Sequence, residues 1–124
     1  VNIIEQIGHG LVQLIENGEI DSDKMTNLLR SYVEPMLKQN IDYLVLGCSH
    51  YPYLIPQLKK IVPKNVKIID SGEAVAKQTE NILSKRGLLN DSKLKSSQLF
   101  YTNSNPAVLK KILGMDTNVF KEEF

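Results

Sequence analysis

The sequence predicts an α/β fold with a largely parallel sheet, and three observations carry that reading. Asp42-Tyr43-Leu44-Val45-Leu46-Gly47 is a continuous apolar run between breakers, as expected of a parallel strand covered on both faces. Met25, Leu28, Leu29, Tyr32, Val33, Met36 and Leu37 recur at the three-then-four spacing of one buried helical stripe. Between them and beyond, strand-like and helix-like segments alternate, with turn residues at the joins.

Each element follows from local chemistry. Val1 to Gln6 has the composition of a short strand. Leu11, Leu14 and Ile15 mark a brief helix closed by Asn17-Gly18. Asp21, Ser22 and Asp23 are placed to cap the long helix that follows and to oppose its positive end. Pro35 should kink that helix or end its regular part early. After the 42–47 strand, Pro52 suits the first turn of a helix, Pro56 delays its regular start, and Leu54, Leu58 and Ile61 form its inner face. Val66 to Ile69 is the next strand, and Asp70-Ser71-Gly72-Glu73 reads as a cap with an acidic first turn. Val75, Thr79, Ile82 and Leu83 carry a helix to Arg86-Gly87, followed by a polar loop over 90–97. Leu99 to Thr102 resumes as strand, with Phe100 and Tyr101 expected in the core. Asn103-Ser104-Asn105-Pro106 turns into a helix bearing Val108, Leu109 and Ile112 and ending at Gly114, and Val119-Phe120 makes a last strand.

Composition narrows the function. The 124 residues are 42% hydrophobic and 23% charged, which is the profile of a globular domain with a real core. A net charge of +1 gives no electrostatic case for nucleic acid or an anionic membrane, and no apolar run approaches the roughly 18 residues of a spanning helix. Cys48 is the only cysteine, which excludes an internal disulfide and makes the cytoplasm the expected compartment. The opening Val1-Asn2-Ile3 reads like mid-strand sequence, so the expectation is a chain cut from something longer.

The chemistry concentrates in Gly47-Cys48-Ser49-His50, at the carboxyl end of a strand and just before a helix, where open α/β sheets bind ligands. An adjacent imidazole or helix N-terminus raises the thiolate fraction of a thiol that is otherwise mostly protonated at neutral pH. The plain structural alternative is a small buried hydrophobe. Cys48 and His50 make only half a metal site, with His9 the one further imidazole, so no metal is expected. His9, between two glycines, reads as an exposed loop residue, and Lys59-Lys60 as a solvated helix face.

The string "LVLGCSHYPYL" resembles the second cysteine motif of the glutamate racemases, Leu-Gly-Cys-Thr-His-Tyr-Pro, with Ser49 in place of threonine. "LVQLIENG", "YVEPMLKQNIDYLVLGCSHYPYL", "IIDSGEAVA" and "LFYTNSNPAVLKKILG" follow in the family's order and approximate spacing. The resemblance implies a two-lobed α/β enzyme of which this chain is about half. Residues 1–72 would be part of the second lobe, carrying the cysteine motif, and 73–124 would complete the first. It also implies chemistry without cofactor or metal: one cysteine thiolate takes the α-proton of L- or D-glutamate and a second cysteine's thiol returns one from the opposite face.

Residue by residue, the resemblance makes Cys48 the second of that pair, His50 its proton-transfer support, and Ser49 a holder of a substrate carboxylate by hydroxyl and backbone N–H. Glu16 matches a family glutamate near the active site, although Ile7-Gly8-His9 and Gln13 depart from the residues usual around it. The trio Asp70-Ser71-Gly72 imitates a catalytic signature that lies near the N-terminus of complete enzymes, and here it reads as a helix cap. The expected partners are glutamate and the missing N-terminal half, with a homodimer possible in such a family. The parent enzyme would supply D-glutamate for peptidoglycan. Two other readings stand beside this one: a racemase of aspartate or a related amino acid, and a non-catalytic carboxylate-binding α/β module.

Overall fold

In a computed structural model of the chain, the described residues are 1–90, 92, 96–114 and 116–124. They form two compact units, Val1–Ile82 and Leu83–Phe124.

The first unit contains α1 (Leu11–Glu16), α2 (Asp23–Leu37), β1 (Tyr43–Val45), a 3-10 turn (Tyr51–Leu54), α3 (Ile55–Ile61) and β2 (Lys67–Ile69). It also holds most of α4 (Gly72–Lys85), which crosses the boundary. Strands β1 and β2 pair in parallel, with Tyr43 opposite Lys67, Leu44 opposite Ile68 and Val45 opposite Ile69. Beyond the paired residues, Lys67 N–H donates to the Asp42 carbonyl at 2.9 Å and Leu46 N–H to the Ile69 carbonyl at 2.8 Å.

Helix α2 starts where its sequence says it should. Ser22 has extended backbone and its Oγ accepts from Met25 N–H at 3.1 Å, so one of the helix's orphan donors is satisfied. Its buried face is Met25, Leu29, Val33 and Met36. Pro35 does not end the helix early: α2 runs to Leu37, and Lys38 N–H still reaches the Glu34 carbonyl at 3.0 Å. A proline this close to the C-terminus removes only its own N–H and leaves the donors after it intact. Pro52 and Pro56 divide the labour as expected: the 3-10 turn takes the first proline and the regular helix begins at Ile55.

Two expectations are corrected in this unit. Residues 1–6 form no strand; Val1 and Ile3 are exposed, because a strand exists only within a ladder and no strand lies beside them among the described residues. Strand β1 is covered on one face rather than two. Leu44 and Leu46 are buried, but Tyr43 and Val45 are 46% and 67% exposed. Neighbouring Ile69 on β2 is also exposed, so one sheet face lies bare while the other meets the helices.

The core under the covered face joins Leu11, Leu14 and Ile15 of α1 to the α2 stripe, Leu44, Leu54 and Leu58. Leu54 is 1% exposed. Leu54→Ala is therefore expected to destabilise the unit by about 3 kcal/mol, as transfer and cavity terms add. Urea unfolding followed by circular dichroism checks this, and an unchanged midpoint contradicts the core described.

The second unit is built on β3 (Phe100–Thr102), α5 (Pro106–Leu113) and β4 (Val119–Lys121), with β3 and β4 parallel and Phe100 opposite Val119. Asn105 caps α5, its Oδ1 accepting from Ala107 N–H at 2.9 Å, and Gly114 at φ 109° closes it in a conformation that side-chain-bearing residues rarely adopt. The loop expected over 90–97 falls partly outside the described residues, at Asp91 and at 93–95. Phe100 and Tyr101 are not both core: Phe100 is half-buried, while Tyr101 is exposed and lies against the Phe120 ring, centroids 5.8 Å apart. Three-residue strands with one helix supply too little cover to bury both faces of the pair. Among the described residues of this unit only Val119 is buried. No helix among the described residues is long and apolar enough to cross a membrane.

Candidate active site

Cys48 lies just past the carboxyl end of β1, half-buried and with its thiol free. The chain turns sharply there, with Tyr51 N–H donating to the Cys48 carbonyl at 3.1 Å, so Cys48, Ser49 and His50 share one short bend. No acceptor among the described residues meets the backbone N–H groups of Ser49 and His50, which remain available donors beside the thiol.

Four of the residues singled out in the sequence come together here. His50 Nδ1 is 4.0 Å from Cys48 Sγ and 3.5 Å from Ser49 Oγ. His50 Nε2 is 3.3 Å from Glu16 Oε1, although Glu16 sits at the last residue of α1, remote in sequence. A carboxylate only accepts, so in the tautomer with Nε2–H the neutral ring donates to Glu16 and turns its Nδ1 lone pair toward the thiol. If Nδ1 takes the thiol proton, the resulting imidazolium sits against the Glu16 carboxylate. The arrangement has the logic of a nucleophile or base oriented through histidine by an acid, on a site still open to solvent: the side chains of His50 and Glu16 are 34% and 56% exposed.

Other sequence candidates lie elsewhere. His9 is exposed on the loop before α1, with its carbonyl rather than its ring engaged. Asp70 Oδ1 accepts from Gly72 N–H at 2.7 Å, which is the capping role expected of it. Among the described residues, no three of His, Cys, Asp and Glu gather as metal ligands.

The structure also recruits residues that the sequence did not mark. Tyr51 hydroxyl donates to the Gly8 carbonyl at 3.4 Å and Tyr32 hydroxyl to the His9 carbonyl at 2.9 Å. Burial raises the Tyr51 pKa above its ordinary value, with smaller upward contributions from Cys48 and Tyr32 and a downward one from the Gly8 hydrogen bond. Buried Gln57 donates to Asp21 and accepts from Lys60 Nζ at 2.9 Å, tying α3 to the link between α1 and α2. An apolar cavity of about 70 Å³ lies beneath the turn, bounded by Gly8, Leu11, Tyr32, Tyr51 and Leu54, and Cys48 is not in its lining.

No protein-family model matches the chain. It is, however, 46% identical over 115 residues to a glutamate racemase of Pseudomonas entomophila, which covers 93% of this chain and 43% of that protein. The chain is homologous to the glutamate racemases. Solved glutamate racemases share its fold. An isoform from Bacillus anthracis superposes with a TM-score of 0.75 at 31% identity, covering 91% of this chain and 44% of that one. The Thermus thermophilus enzyme, solved with β-chloro-D-alanine, gives 0.73 at 27% identity over 90% and 44%. The chain thus spans less than half the length of the glutamate racemases it matches.

Proposed function

We propose that the chain is the C-terminal part of a cofactor-independent glutamate racemase, with Cys48 as one of two proton-transferring cysteines. The observation that carries this is the Cys48–His50–Glu16 array at the end of β1. The names of the homologues supply the substrate class.

The chemistry balances as follows. Cys48 thiolate takes the α-hydrogen as a proton from one enantiomer of glutamate, becoming a thiol and leaving the electron pair delocalised into the substrate carboxylate. A thiol from the complementary half then protonates the opposite face of the planar carbon, becoming a thiolate. In the reverse reaction the roles exchange. His50 accepts the Cys48 proton to prepare the thiolate, with Glu16 stabilising the cation. Ser49 hydroxyl and the free N–H groups of Ser49 and His50 hold the carboxylate and the charge that develops on it.

On this reading residues 1–72 belong to the cysteine-bearing lobe and 73–124 return to complete the other. The bare face formed by Tyr43, Val45 and Ile69 fits a chain that packs against more protein. The cellular role is D-glutamate supply for peptidoglycan, in the cytoplasm.

One fixed base returns a proton to the face it came from, so the 124-residue chain alone is expected to leave L-glutamate uninverted while the complete protein racemises it. Time courses of circular dichroism at matched concentrations check both. Turnover by the chain alone overturns the half-enzyme reading. A complete protein active on aspartate and silent on glutamate overturns the substrate, and one silent on both leaves a carboxylate-binding module.

A further inference from the structure

We infer that Tyr51 and Tyr32 are positioning residues: their hydroxyls pin the Gly8–Gly10 turn and so hold α1 where Glu16 meets His50. This deepens the reading of Cys48, His50 and Glu16 as a proton relay, and rests on it.

Helix α1 has six residues, too few to be stable by its own hydrogen bonds, so its place depends on what holds its ends. Its start is Gly10, at φ 81° and without a side-chain cap. The residues just before it are fixed by the two tyrosines, at the Gly8 and His9 carbonyls. Its last residue, about 9 Å further along, is Glu16. Tyr51 immediately follows His50, so the bend that carries the imidazole also carries the hydroxyl holding the far end of α1. The helix is therefore strapped to the Cys48 bend twice, at Gly8 through Tyr51 and at Glu16 through His50.

Gly8 makes the first strap possible. A Cβ there would stand 2.6 Å from the Tyr51 hydroxyl and 2.5 Å from Leu11 Cδ1, so a side chain would force the turn, the Tyr51 ring or the Leu11 terminus to shift. Tyr51 is neutral at physiological pH, its raised pKa reinforcing this, so loss of its hydroxyl alters geometry near Cys48 and not charge.

The test is the pH profile of Cys48 alkylation by iodoacetamide in the 124-residue chain, with circular dichroism to confirm the fold. Glu16→Gln serves as the reference for a broken relay: without the carboxylate the imidazolium is less favoured, and the profile moves to higher pH. Tyr51→Phe and Tyr32→Phe are each expected to move it the same way, lowering the rate at neutral pH about threefold, the scale of one lost hydrogen bond. Tyr53→Phe, whose ring lies outside this network, should leave the profile in place. A general loss of stability would change the rate at every pH without displacing the profile. Should Tyr51→Phe unfold the chain, Tyr32→Phe carries the test alone. If Glu16→Gln displaces the profile and the folded tyrosine variants do not, the strap is overturned and the relay stands. If Glu16→Gln has no effect, the relay fails and this inference with it.

Discussion

On the proposed function, replacing Cys48 by alanine in the complete protein is expected to lower the kcat of glutamate racemisation by at least about 10³-fold in both directions, while the urea midpoint moves little. Cys48 is half-buried, its thiol is free and its approach to His50 is a long 4.0 Å, so its removal costs the fold little. It costs the reaction everything that depends on a base at that face. Serine in its place keeps a hydroxyl of similar shape but loses the accessible anion, and should be nearly as inactive. Retained turnover in Cys48→Ala, measured by circular dichroism from either enantiomer, would remove Cys48 from the mechanism. It would leave the bend as a carboxylate cradle.

His50→Asn is expected to cost about 10²-fold or more in kcat with a smaller change in KM. Asparagine at that position keeps a polar side chain beside Ser49, the residue proposed to hold the carboxylate, but has no nitrogen that accepts and releases a proton near neutral pH. The two glutamate enantiomers have equal free energy in water, so thermodynamics obliges kcat/KM to fall equally for both. The asymmetry appears instead in the isotope effect. With α-deuterated substrate, the variant should show an enlarged effect for the enantiomer whose proton Cys48 takes, and an unchanged one for its mirror image. Equal effects for both hands would mean that His50 serves the site as a whole and not the Cys48 side.

How far the sequence led depended on the range of the interaction concerned. Ser22, with Asp21 and Asp23, was legible as a cap because a cap is satisfied within three residues, and 103–106 was legible as the turn into α5, though not Asn105 as its cap. Pro52 and Pro56 set the 3-10 turn and the start of α3 for equally local reasons. The apolar run 42–47 announced a strand, but not that Tyr43 and Val45 would lie bare, since hydrophobicity records what a face is suited to meet and not whether the meeting occurs in this chain. For the same reason the strand-like residues 1–6 lack a ladder. The Glu16–His50 contact spans two elements that no spacing rule connects, and only the resemblance to glutamate racemases brought Glu16 forward. Tyr51 passed as a letter of the cysteine motif. The available signal was Gly8-His9-Gly10, a turn without side chains of its own to anchor it, in a chain with five tyrosines to draw on.

Among the described residues, all but one of the buried apolar side chains fall between Leu11 and Val66. A growing polypeptide leaving the ribosome can therefore consolidate this nucleus, with the bend around Cys48 in place, before residues 83–124 have been synthesised. The described residues of that later segment, with Val119 alone enclosed among them, gain little by collapsing on their own. Translation order thus has the Cys48 thiol already seated in its own scaffold when residues 83–124 emerge.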